Sequence, residues 1–296
     1  MCSRRPQRRI DENFFSNQLI KVRNIVDLFI EKKVDFCIHG GDMYDIPDLP
    51  DFLLLNNVIP EFKRLKSAGI DFYINLGSHD LFGYNMESVY TTAVGSLIRY
   101  GLLKLPSETE TIKGIKFKFI NAKTKHTLDL YQDLGESSIV VSHNMLVPQS
   151  VPYDHILFSE LNFCSHVFLC GHYHKQFAVR DGGNIFLNPG PVIRTSIVEA
   201  EHKPSAMIIT VPDSVSVPVK VNNYYLKHER NVFDLNSVVA DKEKEEKVTL
   251  TVKNTKFDSY DLVELADKLG AENNTSAEVM VEVKRRLNDA KIGLHA

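Results

Sequence analysis

The sequence predicts an α/β fold whose functional side chains gather beyond the carboxyl ends of buried strands. Three observations point there. Short apolar runs recur as VDFCIHGGD at 34–42, DFYINLGSHD at 71–80, SSIVVSHN at 137–144 and HVFLCGHYH at 166–174. Each run ends by releasing Asp or His side chains, three of them after a glycine. Between the first runs lie segments with apolar residues at a 3.6-residue period, as expected of helices packed on a sheet.

The first such segment carries Phe15, Leu19, Val22, Val26, Phe29 and Ile30 and predicts a helix ending near Lys33. Residues 51–68 repeat the pattern and are followed by Gly69, a suitable left-handed residue after a helix, with Pro60 expected to kink or split it. Residues 87–100 read as a further helix. TIKGIKFKFIN, 111–121, reads as a strand or as a hairpin punctuated by Gly114. Asp181-Gly182-Gly183 reads as a hairpin turn into NIFLNPGPVIR, where Asn188-Pro189-Gly190-Pro191 forces a rigid loop. SAMIITVP and SVPVKV read as edge strands.

A charge run, DKEKEEK at 241–247, reads as a solvated linker or turn. Beyond it VTLTV alternates as a strand, DSYDLVELADKL has a helical pattern, and AEVMVEVKRR alternates again through Val279, Val281 and Val283. The expected organisation is a main domain over 1–222 and a small C-terminal α+β unit of β-α-β pattern over 225–296.

Composition excludes several classes. At 296 residues with 43% hydrophobic and 25% charged residues, the chain can bury a sizeable core and is neither disordered nor membrane-like. No apolar run approaches the roughly 18 residues of a membrane span. A net charge of −3 gives no global basic signature, so any nucleic-acid contact must be local. The basic start, SRRPQRR, is followed by DENFF and not by the apolar core of a signal peptide. Its arginines, Arg4, Arg5, Arg8 and Arg9, fit a solvated arm or a phosphate contact. Cys2, Cys37, Cys164 and Cys170 show no Cys-x-x-Cys spacing and read as buried thiols in a reduced compartment. A cytoplasmic protein fits these features.

The four strand ends bring Asp42, then Ser78, His79 and Asp80, then His143, then His172 and His174. In open α/β sheets ligands bind outside the carboxyl ends of strands, so these groups are expected to converge on one crevice. In extended backbone residues i and i+2 face one side, which would aim His172 and His174 together. Imidazole and carboxylate without thiolate suit a Mn²⁺, Fe²⁺ or Zn²⁺ centre better than they suit a structural cysteine-type zinc site. A carboxylate bridging two cations about 3.5 to 4 Å apart clamps both oxygens of an in-line phosphoryl displacement. The chemistry indicated is phosphate-ester hydrolysis.

In order, GGDMYD, GSHD, VSHN and GHYH resemble the motifs of calcineurin-like metallophosphoesterases, and NPGPVIRTS with the β-α-β tail resembles the SbcD-type branch, the DNA double-strand-break repair exonucleases. The resemblance covers essentially the whole chain. It implies a metallophosphoesterase-type layered fold, mixed β-sheets flanked by helices. It implies two divalent metal ions, expected to be Mn²⁺, with Asp42 bridging them, His143 and His172 on one and His174 on the other. Ser78 stands where the family carries a ligating Asn, as a weak ligand or replaced by water. His79 would stabilise the scissile phosphate or protonate the leaving oxygen, with Asp80 either orienting it or capping the loop.

The family's first motif, Asp-x-His on a first strand, is missing, and PQRRIDENFF resembles the segment that follows it. The chain is therefore expected to start after that strand and to hold one ion more firmly than two. The resemblance implies DNA as substrate, an SMC-like ATPase of the SbcC type as partner in recombination or repair, exonuclease or endonuclease activity, and dimerisation of family members through helices near the active site. Two other readings stay open: a non-catalytic metallophosphoesterase-like scaffold, and a phosphoesterase acting on a nucleotide or phosphoprotein. Arg194 fits a phosphate contact or a salt bridge. Lys284, Arg285 and Arg286 fit a solvated face better than a contact with DNA or the ATPase.

Overall fold

In a computed structural model of the protein, residues 1–48, 52–132, 139–161, 166–212 and 219–235 are described, with positions 271, 280 and 281 beyond them. The chain divides into two units, Met1–Leu235 and Asn236–Ala296. Residues 226–235 thus fall in the first unit, where Leu226, Val232 and Phe233 are buried and the Ile10 N–H donates to the Val232 carbonyl. The DKEKEEK, VTLTV and DSYDLVELADKL segments lie outside the described residues, as do Lys284, Arg285 and Arg286. Met280 and Val281 are helical, in place of the expected strand. Val279, Met280, Val283 and Leu287 also recur at helical spacing, and short apolar runs do not separate the two periods. Cys2, Cys37 and Cys170 are buried free thiols, and Cys164 lies outside the described residues.

The amphipathic segments form as their periods require. Helix α1 spans Phe14–Glu31 and α2 spans Phe52–Ser67, and between and after them come strands β1 (Phe36–His39) and β2 (Asp71–Ile74). The strands are parallel, with Cys37 opposite Phe72. Helix α2 is not split at Pro60. The carbonyl that loses its partner there belongs to Asn56, an exposed residue whose oxygen water can satisfy. Over 87–100 the single expected helix is replaced by a 3₁₀ segment, Met86–Thr91, and a short α3, Ala93–Arg99. Thr92 divides them, because its hydroxyl accepts the Gly95 N–H and starts the second helix. Leu54, Val58, Ile74, Leu76 and Leu97 are completely buried in the core that these elements share.

The remaining strands are β3 (Thr109–Ile112), β4 (Ile115–Ile120), β5 (Ile139–Ser142), β6 (Leu146–Val147), β7 (Ile156–Leu157), β8 (Val167–Cys170), β9 (Phe177–Asp181), β10 (Asn184–Asn188), β11 (Ser205–Thr210) and β12 (Lys220–Tyr225). Six of them form one sheet in the order β3-β4-β5-β8-β10-β9. Its inner strands β4, β5, β8 and β10 run parallel, and antiparallel hairpins add β3 and β9 at the edges. Parallel strands are covered on both faces, which explains why IVVS and VFLC read as continuous apolar runs. The fold is the mixed α/β arrangement that the sequence predicts.

Strands β1 and β2 form a two-stranded sheet, as do β11 and β12. A cavity of about 580 Å³ lies against β1 and β11, lined by Val26 and Phe29 of α1, Ile38 of β1, Leu169 of β8, and Met207 and Ile209 of β11. Asp42, His143, His172 and His174 line it as well. The strand-end polar groups therefore stand beside an apolar wall. Among the described residues no helix is long and apolar enough to cross a membrane.

The N-terminal arm is not uniformly solvated. Arg4, Arg5 and Arg8 are exposed, but Arg9 is 5% exposed, bonds Asp11 and the Arg194 carbonyl, and packs on Phe14 and Phe233. Arg194 is buried too and donates to the carbonyls of Ala200 and Glu229, so it is a strut and not a surface salt bridge. Beside them the Lys21 ammonium meets the Glu229 carboxylate at 2.7 Å. Burial is the largest single influence and would raise the Glu229 carboxyl, yet the hydrogen bond and charge of Lys21 together with a backbone N–H hold the group below its ordinary value. A carboxyl depressed on folding contributes stability that is full above its unfolded pKa and lost as pH falls through the folded value. Glu229→Gln is therefore expected to lower the thermal midpoint at pH 7, by about 1 to 3 kcal/mol of stability because Lys21 is left buried without its partner. The gap from wild type should close as melts are taken below about pH 4.

Candidate metal centre

Glycines at the strand ends let the backbone come close enough to pack the ligands. After β1 the chain turns through Gly41 at φ 106° and Asp42 at φ 54°, and after β8 through Gly171 and His172 at φ 65°. Left-handed backbone at Asp and His is uncommon and marks places where the surroundings dictate conformation. A side chain on Gly41 would put its Cβ 2.3 Å from His143 Nδ1, and one on Gly171 would meet the Gly40 carbonyl at 2.4 Å. These positions need hydrogen because the loops and the histidine are in contact.

Asp42, His143 and His172 converge. One ligand atom from each lies within 4.8 Å of the others. The His143 ring Nδ1 is 2.6 Å from the Gly40 carbonyl and donates to it, which leaves Nε2 with a lone pair. That Nε2 is buried and 3.0 Å from Asp42 Oδ2, yet it makes no aligned hydrogen bond. Two such atoms side by side, both electron-rich, are what a shared cation requires. The donor set fits a divalent metal.

The electrostatics agree. Burial opposes charge on Asp42, but His143 and the His79 N–H reverse that and hold its carboxyl far below the ordinary range. Burial likewise opposes the His143 imidazolium, and the facing carboxylate wins, raising it. Burial pushes His172 down to about 4, so its imidazole is neutral and ligand-ready at neutral pH. A cation between Asp42 and His143 would compete with a proton for the His143 Nε2 lone pair.

The other predicted residues take different places. His79 and Ser78 begin a 3₁₀ turn, Ser78–Asp80. The His79 N–H donates to Asp42 Oδ1 at 2.8 Å, and its exposed ring is anchored through Nδ1 to the Asp45 carbonyl at 2.5 Å. Asp80 does not orient that ring. Its buried carboxylate accepts from the N–H groups of Asp42, Met43 and Gly77, tying the end of β1 to the loop after β2. That is the loop-capping alternative, and it makes Asp80 the brace of Asp42. Ser78 is partly exposed in the same turn.

His174 stands apart from the three-residue cluster. The expectation that it shares a side with His172 assumes extended backbone, whereas the left-handed His172 and the bond from Tyr173 N–H to the Gly171 carbonyl make a tight turn. His174 still lines the same cavity, with its Nδ1 2.5 Å from Glu199 Oε1.

Glu199 does not stand out in the sequence, since TSIVEAEHK carries no periodic signal. It is 4% exposed, and its other oxygen accepts from the N–H groups of Thr195 and Ser196. Its hydrogen bond raises the His174 imidazolium, and His174 in turn holds Glu199 down against the effect of burial. With Nδ1 so engaged, His174 offers Nε2. Removing a carboxylate that orients a metal-binding imidazole typically costs 10- to 100-fold in affinity. Glu199→Ala is thus expected to weaken any divalent-cation binding at His174 by about that factor in calorimetric titration, and Glu199→Gln, which can still accept a hydrogen bond, by less.

With this geometry established, comparison with known proteins gives a class. No family model matches the chain. It is similar to the DNA double-strand break repair protein Mre11 of Sulfurisphaera tokodaii (strain DSM 16993 / JCM 10545 / NBRC 100140 / 7), 27% identical over 216 residues, which cover 67% of this chain and 54% of that protein. The chain thus spans about half the length of this relative. Among solved structures it is similar to a novel archaeal phosphodiesterase (TM-score 0.39, 14% identity, 72% of this chain and 95% of that one). A second is a Staphylococcus aureus protein described as a 5′-nucleotidase, in complex with alpha-ketoglutarate (TM-score 0.41, 13% identity, 77% and 52%). The ordered strand-end motifs and the curated relative support assignment to the calcineurin-like metallophosphoesterase superfamily. Within that superfamily the likeness is to the Mre11/SbcD type.

Proposed function

We propose that the protein is a metal-dependent phosphodiesterase acting on DNA, a nuclease of recombination or repair. The observation that carries this reading is the Asp42, His143 and His172 cluster, with the buried His143 Nε2 aligned to no hydrogen-bond partner. Bound divalent cations, of which Mn²⁺ suits the donors, supply charge stabilisation for the displaced phosphate oxygens and an activated water. The chain's own part is positional. Asp80 fixes the backbone of Asp42, the His79 N–H fixes its carboxylate, and Gly40 fixes the His143 ring. His79, held through Nδ1, keeps Nε2 for a phosphate oxygen or the leaving oxygen. Ser78 is a weak ligand or yields to water.

The same reading carries an SMC-like ATPase of the SbcC type as partner, a homodimer and a cytoplasmic setting. The test is hydrolysis of linear duplex DNA, of a small phosphodiester and of a phosphopeptide, each with and without Mn²⁺. DNA cleavage lost in His172→Ala supports the nuclease. Turnover of the small ester or phosphopeptide alone moves the substrate to a nucleotide or phosphoprotein.

A second reading, a non-catalytic scaffold, is favoured by one observation: His174 lies outside the three-residue cluster. Binding of a single Mn²⁺ without hydrolysis of any of the three substrates would select it.

A further inference from the structure

His172 has two imidazole neighbours. His143 lies at 5.2 Å between ring centroids and belongs to the proposed ligand set. His126 lies at 5.5 Å and has so far been given no task. Sheet order explains why it is there. Strands β4, β5 and β8 are consecutive neighbours, and the chain leaving their carboxyl ends delivers His126, His143 and His172 in turn. The third observation is how His126 is held. Its N–H donates to Asp154 Oδ2 at 3.0 Å, and its Nδ1 is 3.1 Å from Asn144 Oδ1, with the Met145 N–H farther away at 3.5 Å. Asn144 is completely buried, and its Nδ2 donates to Ser142 Oγ, which is 2.7 Å from the Tyr131 hydroxyl. Ser142 and Tyr131 are completely buried as well. With Asn144 so oriented, its oxygen accepts from His126 Nδ1 in the tautomer that leaves the ring's lone pair at Nε2, and the longer Met145 N–H contact to Nδ1 belongs to the other tautomer. His143 on Gly40 and His174 on Glu199 are held by the same device, Nδ1 engaged with a fixed oxygen. Ligating histidines characteristically donate their second nitrogen in this way.

We propose that His126, which lies outside the Asp42, His143 and His172 set in this structure, is a further ligand of the metal centre and joins that set as a third imidazole when a cation binds. The inference rests on the metallophosphoesterase reading of that cluster. Three imidazoles with one carboxylate would suit a transition-metal cation better than Mg²⁺, which favours oxygen and water. His126 is half-buried on a loop, so its truncation leaves the core intact.

The experiment uses the full chain with Co²⁺ and Mn²⁺. Calorimetric titration gives stoichiometry and affinity, and the visible d–d spectrum of the Co²⁺ form reports the ligand field without any turnover. His126→Ala is expected to weaken the first ion at least about tenfold and to alter the Co²⁺ spectrum, and Asn144→Ala to weaken it less. A His126→Ala protein that binds Co²⁺ with wild-type affinity and spectrum overturns the proposal, even if DNA cleavage falls. A wild-type chain that binds no cation refutes the cluster reading itself, a separate result.

Discussion

Asp42→Asn is expected to abolish cation binding at the strand-end cluster and to reduce metal-dependent hydrolysis by at least about a hundredfold. The substitution removes one negative charge and little else. The neighbouring Asp80 bonds the backbone of residue 42 and not its side chain, and an asparagine oxygen can still accept the His79 N–H. The new amide nitrogen would then meet His143 Nε2 as a donor, filling with a hydrogen bond the place that a cation would take. The unloaded variant loses the pairing that holds Asp42 down and His143 up, and should melt somewhat below wild type. The decisive measurement is the shift of the thermal midpoint on adding metal. A ligand that binds only the folded state stabilises it by RT ln(1 + [L]/Kd), about 2.7 kcal/mol at a hundred times Kd. That increment should appear in wild type and vanish in Asp42→Asn. An equal shift in both would remove Asp42 from the ligand set.

The strand ends are legible in the sequence because a buried strand and a polar terminus leave opposite signatures in adjacent residues. VFLC is apolar for packing, GHYH is not, and the boundary is sharp. Asp42, His143 and His172 follow from that boundary plus the rule that parallel strands end on one side of a sheet. What does not follow is anything set by loop conformation. The relation between His172 and His174 depends on a left-handed residue that their spacing does not reveal. Asp80 is legible as a strand-end acid, but whether it serves a side chain or a backbone depends on how the loop after β2 folds back onto β1. Glu199 and His126 sit in segments without periodicity, and their partners are 25 and 18 residues away, respectively. Arg9 reads like its exposed neighbours because a run of arginines says nothing of which one turns inward. The apolar cavity against β1 and β11 is likewise set by how separate elements pack, and no pattern along the chain locates it.

Gly77→Ala should be among the most damaging single-methyl additions in the chain. Gly77 has φ −92° and ψ 178°, extended backbone that alanine adopts freely, so no conformational cost is involved. The damage is one of space. A Cβ there would stand 2.1 Å from Asp42 Oδ1, 2.4 Å from Asp42 N and 2.7 Å from Asp42 Cγ. None of these atoms can move alone, since the Asp42 N–H is bonded to Asp80 and the carboxylate to the His79 N–H. Relief requires the end of β1 and the loop after β2 to separate, which breaks the Asp42 and Met43 N–H bonds to the buried Asp80 carboxylate and leaves that charge only the Gly77 N–H of its own loop. Overpacking with loss of a buried network is expected to cost about 3 kcal/mol or more, along with metal binding. Gly69→Ala is the contrasting case. Its φ of 74° strains alanine, but nothing lies within 4 Å of the added carbon, so it should cost only about 1 kcal/mol and leave the metal titration unchanged. Urea melts of the two variants separate the mechanisms. If Gly77→Ala were no worse than Gly69→Ala, the close approach of the two loops that assembles the metal centre would be refuted.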